Sequence, residues 1–258
     1  MTDAQLVRTE KEGRIARIVM EAPPLNALTL PMLDQILAAY RACAADDEVR
    51  AVILCSALEK IFCAGLDLKL LREAGAAGVR SLLQKLYLDM LDVQHTMGKP
   101  TISAVSGAAR GGGMTLSITC NVIVADESAT FGYPELDNGL IPAIHFVHLP
   151  RVIGKHRAFD LLFTGRSFDA HEAERIGLVA RVAKGRGVMD CAMELAESFA
   201  RQPPGATRIA HANFMRAQDM DFRREVADVT ETFINVSQTE ETQAGLAAFA
   251  EKRTPPWR

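Results

Sequence analysis

The sequence predicts a mixed α/β core followed by an all-helical tail. Three observations predict it. A continuously apolar run at 51–55 and a run rich in β-branched residues at 100–105 have the length of buried strands, with helical patterns between them. Gly111, Gly112 and Gly113 follow one such strand after a short turn and open an apolar helical run. After Val188 no strand pattern recurs, which divides the chain into a core over 1–190 and a helical region over 191–258.

Taken in order, residues 6–10 and 14–20 flank Lys11, Glu12 and Gly13 as the arms of a hairpin. Pro23 and Pro24 keep 22–28 out of regular structure. Thr29 caps a helix that has Pro31 in its first turn and an apolar stripe of Met32, Leu33, Ile36, Leu37 and Tyr40. Strand 51–55 and loop 56–62 lead into Cys63, Ala64, Gly65, Leu66, Asp67, Leu68 and Lys69, a strand-to-helix turn in which Asp67 reads as a cap. Residues 74–78 break the pattern, and 79–97 form one long helix with Leu82, Leu83, Leu86, Met90, Leu91 and Val93 inward. Strand 101–105 turns through 106–110 into the glycines, and strand 121–125 follows the next helix. Further helices occupy 157–163 and 170–176, with a strand at 178–182. The tail comprises helices 188–201, 204–217, 222–236 and 239–252. Its apolar faces, with Phe214, Met215, Phe222, Phe233, Ile234 and Leu246, need a cover, and a neighbouring subunit is a natural one.

Composition narrows the function. The chain has 258 residues, 48% hydrophobic and 24% charged, enough apolar material for a full core. Net charge is −3 and no basic stripe invites a polyanion. The apolar runs are too short for a bilayer span, and Asp3, Arg8, Glu10, Lys11 and Glu12 interrupt any secretory signal. Five scattered cysteines without CxxC spacing read as reduced, buried thiols of a cytoplasmic protein.

The chemistry concentrates between Lys99 and Pro142. Glycines at a helix start let the backbone approach a ligand, and the helix end presents unpaired N–H groups and positive potential. That is a seat for negative charge. Glu135 then follows Phe131, Gly132, Tyr133 and Pro134, a carboxylate among apolar neighbours; a surface loop position is the bland alternative. The triplet lacks both the GK[ST] ending of a P-loop and the Rossmann spacing. His145 and His148 lack further ligands for a metal, so packing or pocket lining suits them, with His145 as auxiliary acid or base a lesser option. Ser103 and Ser106 lack a nucleophile elbow. Arg110 either meets a phosphate or is merely solvated, the latter being favoured.

These segments together resemble the crotonase superfamily, the enoyl-CoA hydratase/isomerase family. The resemblance runs from Asn26, Ala27 and Leu28 through 62–68, 99–113 and 131–135 to Leu149, Pro150 and Arg151, Leu162 to Arg166, and the C-terminal 245–253. It implies a spiral of ββα units followed by a helical trimerisation region, assembled as a trimer or dimer of trimers. It implies an acyl-CoA thioester substrate and neither metal nor redox cofactor; coenzyme A is part of the substrate. Carried over by position, the amides of Leu66 and Gly112 hold the thioester oxygen. Asn26, Ala27, Leu28 and Ala64 lie along the CoA, and Phe249 and Lys252 meet its nucleotide end from a neighbouring subunit. Gly65, Asp67, Leu68, Gly111, Pro134, Ile141 and His145 complete the implied substrate wall.

Two departures from the family pattern matter. Hydratases of the family carry two glutamates; the later matches Glu135, and the earlier falls on Thr115, which can orient water but cannot act as a base. Asp137 is a weak substitute so near Glu135. At 141–148 larger side chains replace a glycine-rich turn and reshape the acyl pocket. One carboxylate beside an oxyanion hole suffices to move a proton between carbons, as in Δ3,Δ2-enoyl-CoA isomerases. The expectation is therefore an isomerase with Glu135 as single acid/base, its pKa raised by Phe131, Pro134, Leu136 and Ile141. The alternatives are a hydratase that uses Thr115, a thioester hydrolase or C–C lyase, and a non-catalytic scaffold with RNA contacts, which the acidic balance disfavours.

Overall fold

The computed structural model describes residues 4–218, 221–255 and 257. It opens with the expected hairpin, β1 (Val7–Glu12) and β2 (Ile15–Met20), antiparallel from Val7 opposite Met20 to Glu12 opposite Ile15. Helix α1 (Leu30–Ala45) is capped by Thr29, whose Oγ1 accepts from Met32 N at 3.3 Å. Strands β3 (Ala51–Ser56) and β4 (Ile61–Cys63) precede α2 (Leu68–Glu73), α3 (Gly75–Leu83), a π-helical turn (Gln84–Asp89) and α4 (Met90–Thr96). Then come β5 (Thr101–Val105), β6 (Ala108–Arg110), α5 (Gly112–Thr119), β7 (Val122–Ala125), β8 (Thr130–Gly132) and a 3-10 turn (Pro134–Asn138). Helices α6 (His145–Ile153) and α7 (Lys155–Thr164) lead to β9 (Phe168–Asp169), α8 (Ala170–Arg175) and β10 (Arg181–Val182). The chain ends in α9 (Val188–Ala200), α10 (Pro204–Gln218), α11 (Phe222–Ser237) and α12 (Glu240–Ala250). The side chain of Phe222, counted above on the apolar face, lies outside the described residues.

Two sheets organise the core. The larger runs β1-β2-β3-β5-β7-β10 and the smaller β4-β6-β8-β9. Each of three successive turns contributes one strand to each sheet (β3 with β4, β5 with β6, β7 with β8) before the chain leaves as a helix or helical turn. This is the spiral of ββα units. The strands β4, β6 and β8 are mutually parallel, with Ala109 opposite Cys63 and Phe131, and Arg110 opposite Gly132. The segments that leave their carboxyl ends are consequently neighbours in space.

The large sheet is covered on both faces, as its unbroken apolar strands require. Along β3, Val52 and Leu54 enter the main core, while Ala51, Ile53 and Cys55 face a second cluster with Cys191, Ala192, Leu195 and Ala196 of α9. Helix α9 therefore packs with the mixed core although it begins the helical tail. All five cysteines are buried free thiols, as expected. No helix among the described residues is long and apolar enough to cross a membrane.

Several elements differ from the sequence reading. The break expected at 74–78 is mostly helical, since α3 begins at Gly75, and the expected single helix over 79–97 is interrupted by the π turn. An inserted residue in a helix changes which side chains share a face. Leu86 and Tyr87 are both buried within that turn. The three-residue strands carry no periodicity: the sequence reads β4 and β6 as loop and turn and assigns β8 no element, and β10 is shorter than its expected span. The tail is covered largely by its own chain: α10 packs on α4, α11 on α3, α6 and the π turn, and α12 on α2 and the 3-10 turn.

Lys99 was overlooked as a structural residue. Its Nζ donates to the carbonyls of Cys43, Ala44 and Asp46 at 2.6, 3.0 and 2.7 Å, satisfying the carboxyl end of α1. Lys99→Met should destabilise the fold by about 2 kcal/mol, because three carbonyls lose a charged donor. Urea unfolding of the two proteins checks this, and an unchanged midpoint would refute it.

Candidate active site

The amide of Leu66 is directed by its neighbours. Leu28 and Leu66 form an isolated parallel bridge, with Leu28 N donating to Gly65 O at 2.8 Å and Asp67 N donating to Leu28 O at 3.1 Å. In that pairing the flanking residues bond to the partner strand, so the N–H of Leu66 points the other way. Gly112 opens α5, and its N–H has no carbonyl one turn earlier to reach. Neither amide has a hydrogen-bond partner among the described residues.

Gly65 brings these amides together. Its φ is +95°, and a Cβ there would lie 2.9 Å from Arg110 O and 3.1 Å from Gly112 N. The two loops thus touch backbone to backbone, an approach only glycine permits. Leu66 and Gly112 both wall a small cavity of about 80 Å³.

Glu135 enters the cavity from the third segment. A Cβ on Gly111 would stand 3.2 Å from its Oε1, so the carboxylate lies directly over that glycine. Its Oε2 is buried without a partner. Burial pushes the carboxyl up to about 7, opposed weakly by a backbone hydrogen bond. Among the described residues that wall the cavity, Glu135 is the only acidic one, and Leu86, Tyr87, Leu140 and Phe233 add apolar and aromatic surface. Of the desolvating neighbours expected for Glu135, Pro134 walls the cavity, whereas Phe131 stacks on Phe168 with centroids 5.7 Å apart.

The other candidate residues divide clearly. Ala64, Gly65, Leu66, Leu68, Gly111, Gly112 and Pro134 join Glu135 at the cavity. Asp67 caps α2, accepting from Lys69 N and Leu70 N at 2.9 and 3.3 Å. Asn26 is fully buried and ties loops together: Oδ1 accepts from Ala22 N at 2.7 Å, and Nδ2 donates to Ser56 Oγ and Phe62 O at 2.8 and 3.0 Å. Leu28 is buried beneath Gly112, Ala27 is half-buried beside it, and Ile141 packs on the core. None of these four lines the cavity; Asn26 instead ties the loops together and Ile141 packs on the core.

Thr115 and His145 are likewise displaced from the expected wall. Both are buried behind Gly111, where Thr115 Oγ1 and His145 Nε2 are 3.2 Å apart. Thr115 sits on the inner side of α5, so its hydroxyl meets the histidine rather than the cavity. Phe249 and Lys252 are exposed near the end of the chain, on or just beyond α12, outside the cavity wall. Arg110 is half-buried rather than simply solvated, its guanidinium engaged within the chain: it donates to Thr130 O at 2.7 Å, Thr130 Oγ1 at 3.0 Å and Ser167 Oγ at 3.2 Å.

Leu86, Tyr87, Asn138, Leu140 and Phe233 were missed as cavity residues. Phe233 showed only as one apolar position of a distant helix, and nothing in its local pattern indicated the cavity.

The sequence matches the enoyl-CoA hydratase/isomerase family over residues 10–258. It is 36% identical over 246 residues to a probable enoyl-CoA hydratase of Rhizobium meliloti, covering 95% of this chain and 94% of the relative. It is 34% identical over 254 residues to the short-chain-enoyl-CoA hydratase of Clostridium acetobutylicum, covering 95% and 94%. The fold superposes on the enoyl-CoA hydratase of Bacillus anthracis with a TM-score of 0.79 at 32% identity, covering 97% of this chain and 98% of that one. It superposes on an enoyl-CoA hydratase/isomerase of Xanthobacter autotrophicus Py2 with a TM-score of 0.87 at 28% identity, covering 96% and 93%. A spiral core with two backbone amides and one carboxylate at a shared cavity, and a family match over nearly the whole length, lead to one conclusion: this chain belongs to the enoyl-CoA hydratase/isomerase family of the crotonase superfamily.

Proposed function

We propose that the protein is a Δ3,Δ2-enoyl-CoA isomerase in which Glu135 is the single acid/base. The observation that carries this reading is the cavity with one carboxylate, set over Gly111 and beside two unpaired amides. The thioester oxygen of a 3-enoyl-CoA accepts hydrogen bonds from Leu66 N–H and Gly112 N–H. Glu135 takes a proton from C2, electron density moves onto the oxygen as a dienolate, and the same carboxyl returns the proton to C4. The double bond has moved and Glu135 is again a carboxylate. Only a proton is relayed, so coenzyme A enters as part of the substrate and no electron carrier is consumed.

A carbon acid beside a thioester is far too weak for a carboxylate of ordinary strength. The raised pKa of Glu135 makes it a stronger base near neutral pH, and the amides with the helix end behind Gly112 lower the cost of the oxyanion. The hydratase names of relatives favour a second reading, hydration of a 2-enoyl thioester, in which Glu135 alone would activate water and protonate C2. Against it, the residue in the place of the family's earlier glutamate, Thr115, turns its hydroxyl toward His145.

Turnover of 3-enoyl and 2-enoyl thioesters in parallel discriminates the two. Isomerisation is expected to exceed hydration in kcat/KM by at least about tenfold, a difference of about 1.4 kcal/mol in transition-state stabilisation. Efficient hydration with negligible double-bond migration would remove the isomerase assignment. The proposal extends to assembly as a trimer or dimer of trimers, to which the exposed Ile209, Phe214 and Phe249 are suited as contacts between copies.

A further inference from the structure

We propose that His145 is a positioning residue for the oxyanion seat, holding the Gly111–Gly112 peptide group so that Gly112 N–H stays aimed into the cavity. The inference rests on the reading of Leu66 and Gly112 as donors to a thioester oxygen. A peptide group is planar, and its C=O and N–H point in opposite directions. Whatever holds the carbonyl of Gly111 therefore also aims the amide of Gly112.

That carbonyl needs holding. Gly111 adopts φ +48° and ψ −113°, outside both helix and strand, and it has no side chain to pack. Its N–H reaches Gly132 O at 3.3 Å. Its carbonyl accepts from Thr115 N at 3.1 Å and is 3.3 Å from His145 Nε2. Among the described residues the imidazole is the only side chain hydrogen-bonded to this peptide group, and it is not one of the residues that wall the cavity.

The proton of the ring belongs on Nε2. His145 Nδ1 is buried with no partner, and an orphaned buried N–H is rarer than an orphaned lone pair. With Nε2 protonated, the ring donates to Gly111 O, and Thr115 Oγ1 lies 3.2 Å from the same nitrogen. Tyr133 wedges the ring in place with centroids 4.6 Å apart. Burial keeps the ring neutral down to about pH 4, so this donor persists across the working range. A second donor on Gly111 O also draws electron density toward that oxygen, which strengthens the N–H at the other end of the peptide.

The test reads carbonyl polarisation directly, using a saturated C4 acyl-CoA labelled with ¹³C at the thioester carbonyl and infrared difference spectroscopy. Wild-type protein should lower the carbonyl stretching frequency on binding. His145→Phe, which keeps bulk but removes the donor, should lose about half of that shift with little change in affinity. Its kcat should fall about ten- to hundredfold at near-constant KM, part of the 10²–10³-fold cost of losing a donor outright. His145→Gln places an amide N–H at similar reach and should restore most of the shift and of kcat. Glu135→Gln should keep the full shift while losing turnover. A wild-type shift and kcat in His145→Phe would overturn the inference, as would equal losses in the Phe and Gln variants in step with lowered melting temperature. If wild-type protein binds no acyl-CoA, or binds it with no shift, the oxyanion reading itself falls and takes the inference with it.

Discussion

Glu135→Gln is expected to lower kcat by about 10²–10⁴-fold, the range for removing a positioned general base. It should do so while making the protein more stable above neutral pH. The carboxyl has a folded-state pKa of about 7 against an ordinary value of 4.5. Its contribution to stability is therefore fully present below about pH 4.5 and is lost as pH rises to about 7. Above that range the buried charge costs about 3 kcal/mol. Glutamine has nearly the same shape and no charge, so the variant should melt about 5–10 °C higher than wild type at pH 8 and within a degree or so of it at pH 4. Thermal melts at the two pH values check the stability arm. A constant difference in melting temperature would show that burial of charge is not its origin. In the wild type, kcat/KM should rise with pH through an inflection near 7, because the base acts as the carboxylate.

Gly65→Ala is expected to lower kcat/KM by about 10²–10³-fold, the cost of misplacing an oxyanion donor. The added methyl would lie 2.9 Å from Arg110 O and 3.1 Å from Gly112 N, so backbone must move, and the movement separates the amides of Leu66 and Gly112. The positive φ of +95° adds strain of about 1–3 kcal/mol to the fold. Gly13→Ala is the control. Gly13 has φ +57° with nothing within 4 Å of a new Cβ, so that variant should lose about 1 kcal/mol of stability and no activity. Full activity in Gly65→Ala would mean that the two loops do not form a common seat.

Much of the fold was legible from local pattern. The hairpin turn at Gly13, the cap at Thr29, the buried strand β3 and the helices of the tail follow from short-range preferences, and all are present. The pattern failed where elements are too short or irregular to repeat it. Strands β4, β6 and β8 are each held by pairing with strands distant in sequence, and the π turn shifts the helical face by a residue. The candidate site divides in the same way. Glu135, Gly65 and the glycine triplet stood out by residue type, because a carboxylate among apolar neighbours and glycines at a helix start have direct chemical meaning.

By itself the sequence determined the family and the alternation of strands and helices, and it singled out Glu135 as a carboxylate among apolar neighbours. Tertiary structure alone decided that the ends of β4, β6 and β8 lie side by side, bringing Leu66, Gly112 and Glu135 to one cavity. It also decided that Asn26, Thr115 and His145 stand behind that cavity and that Phe233 reaches it from the tail. The reason is physical. Local preferences act over a few residues, whereas parallel strand pairing and the burial of a helix face join segments tens of residues apart, and the geometry of those contacts is written in no single segment.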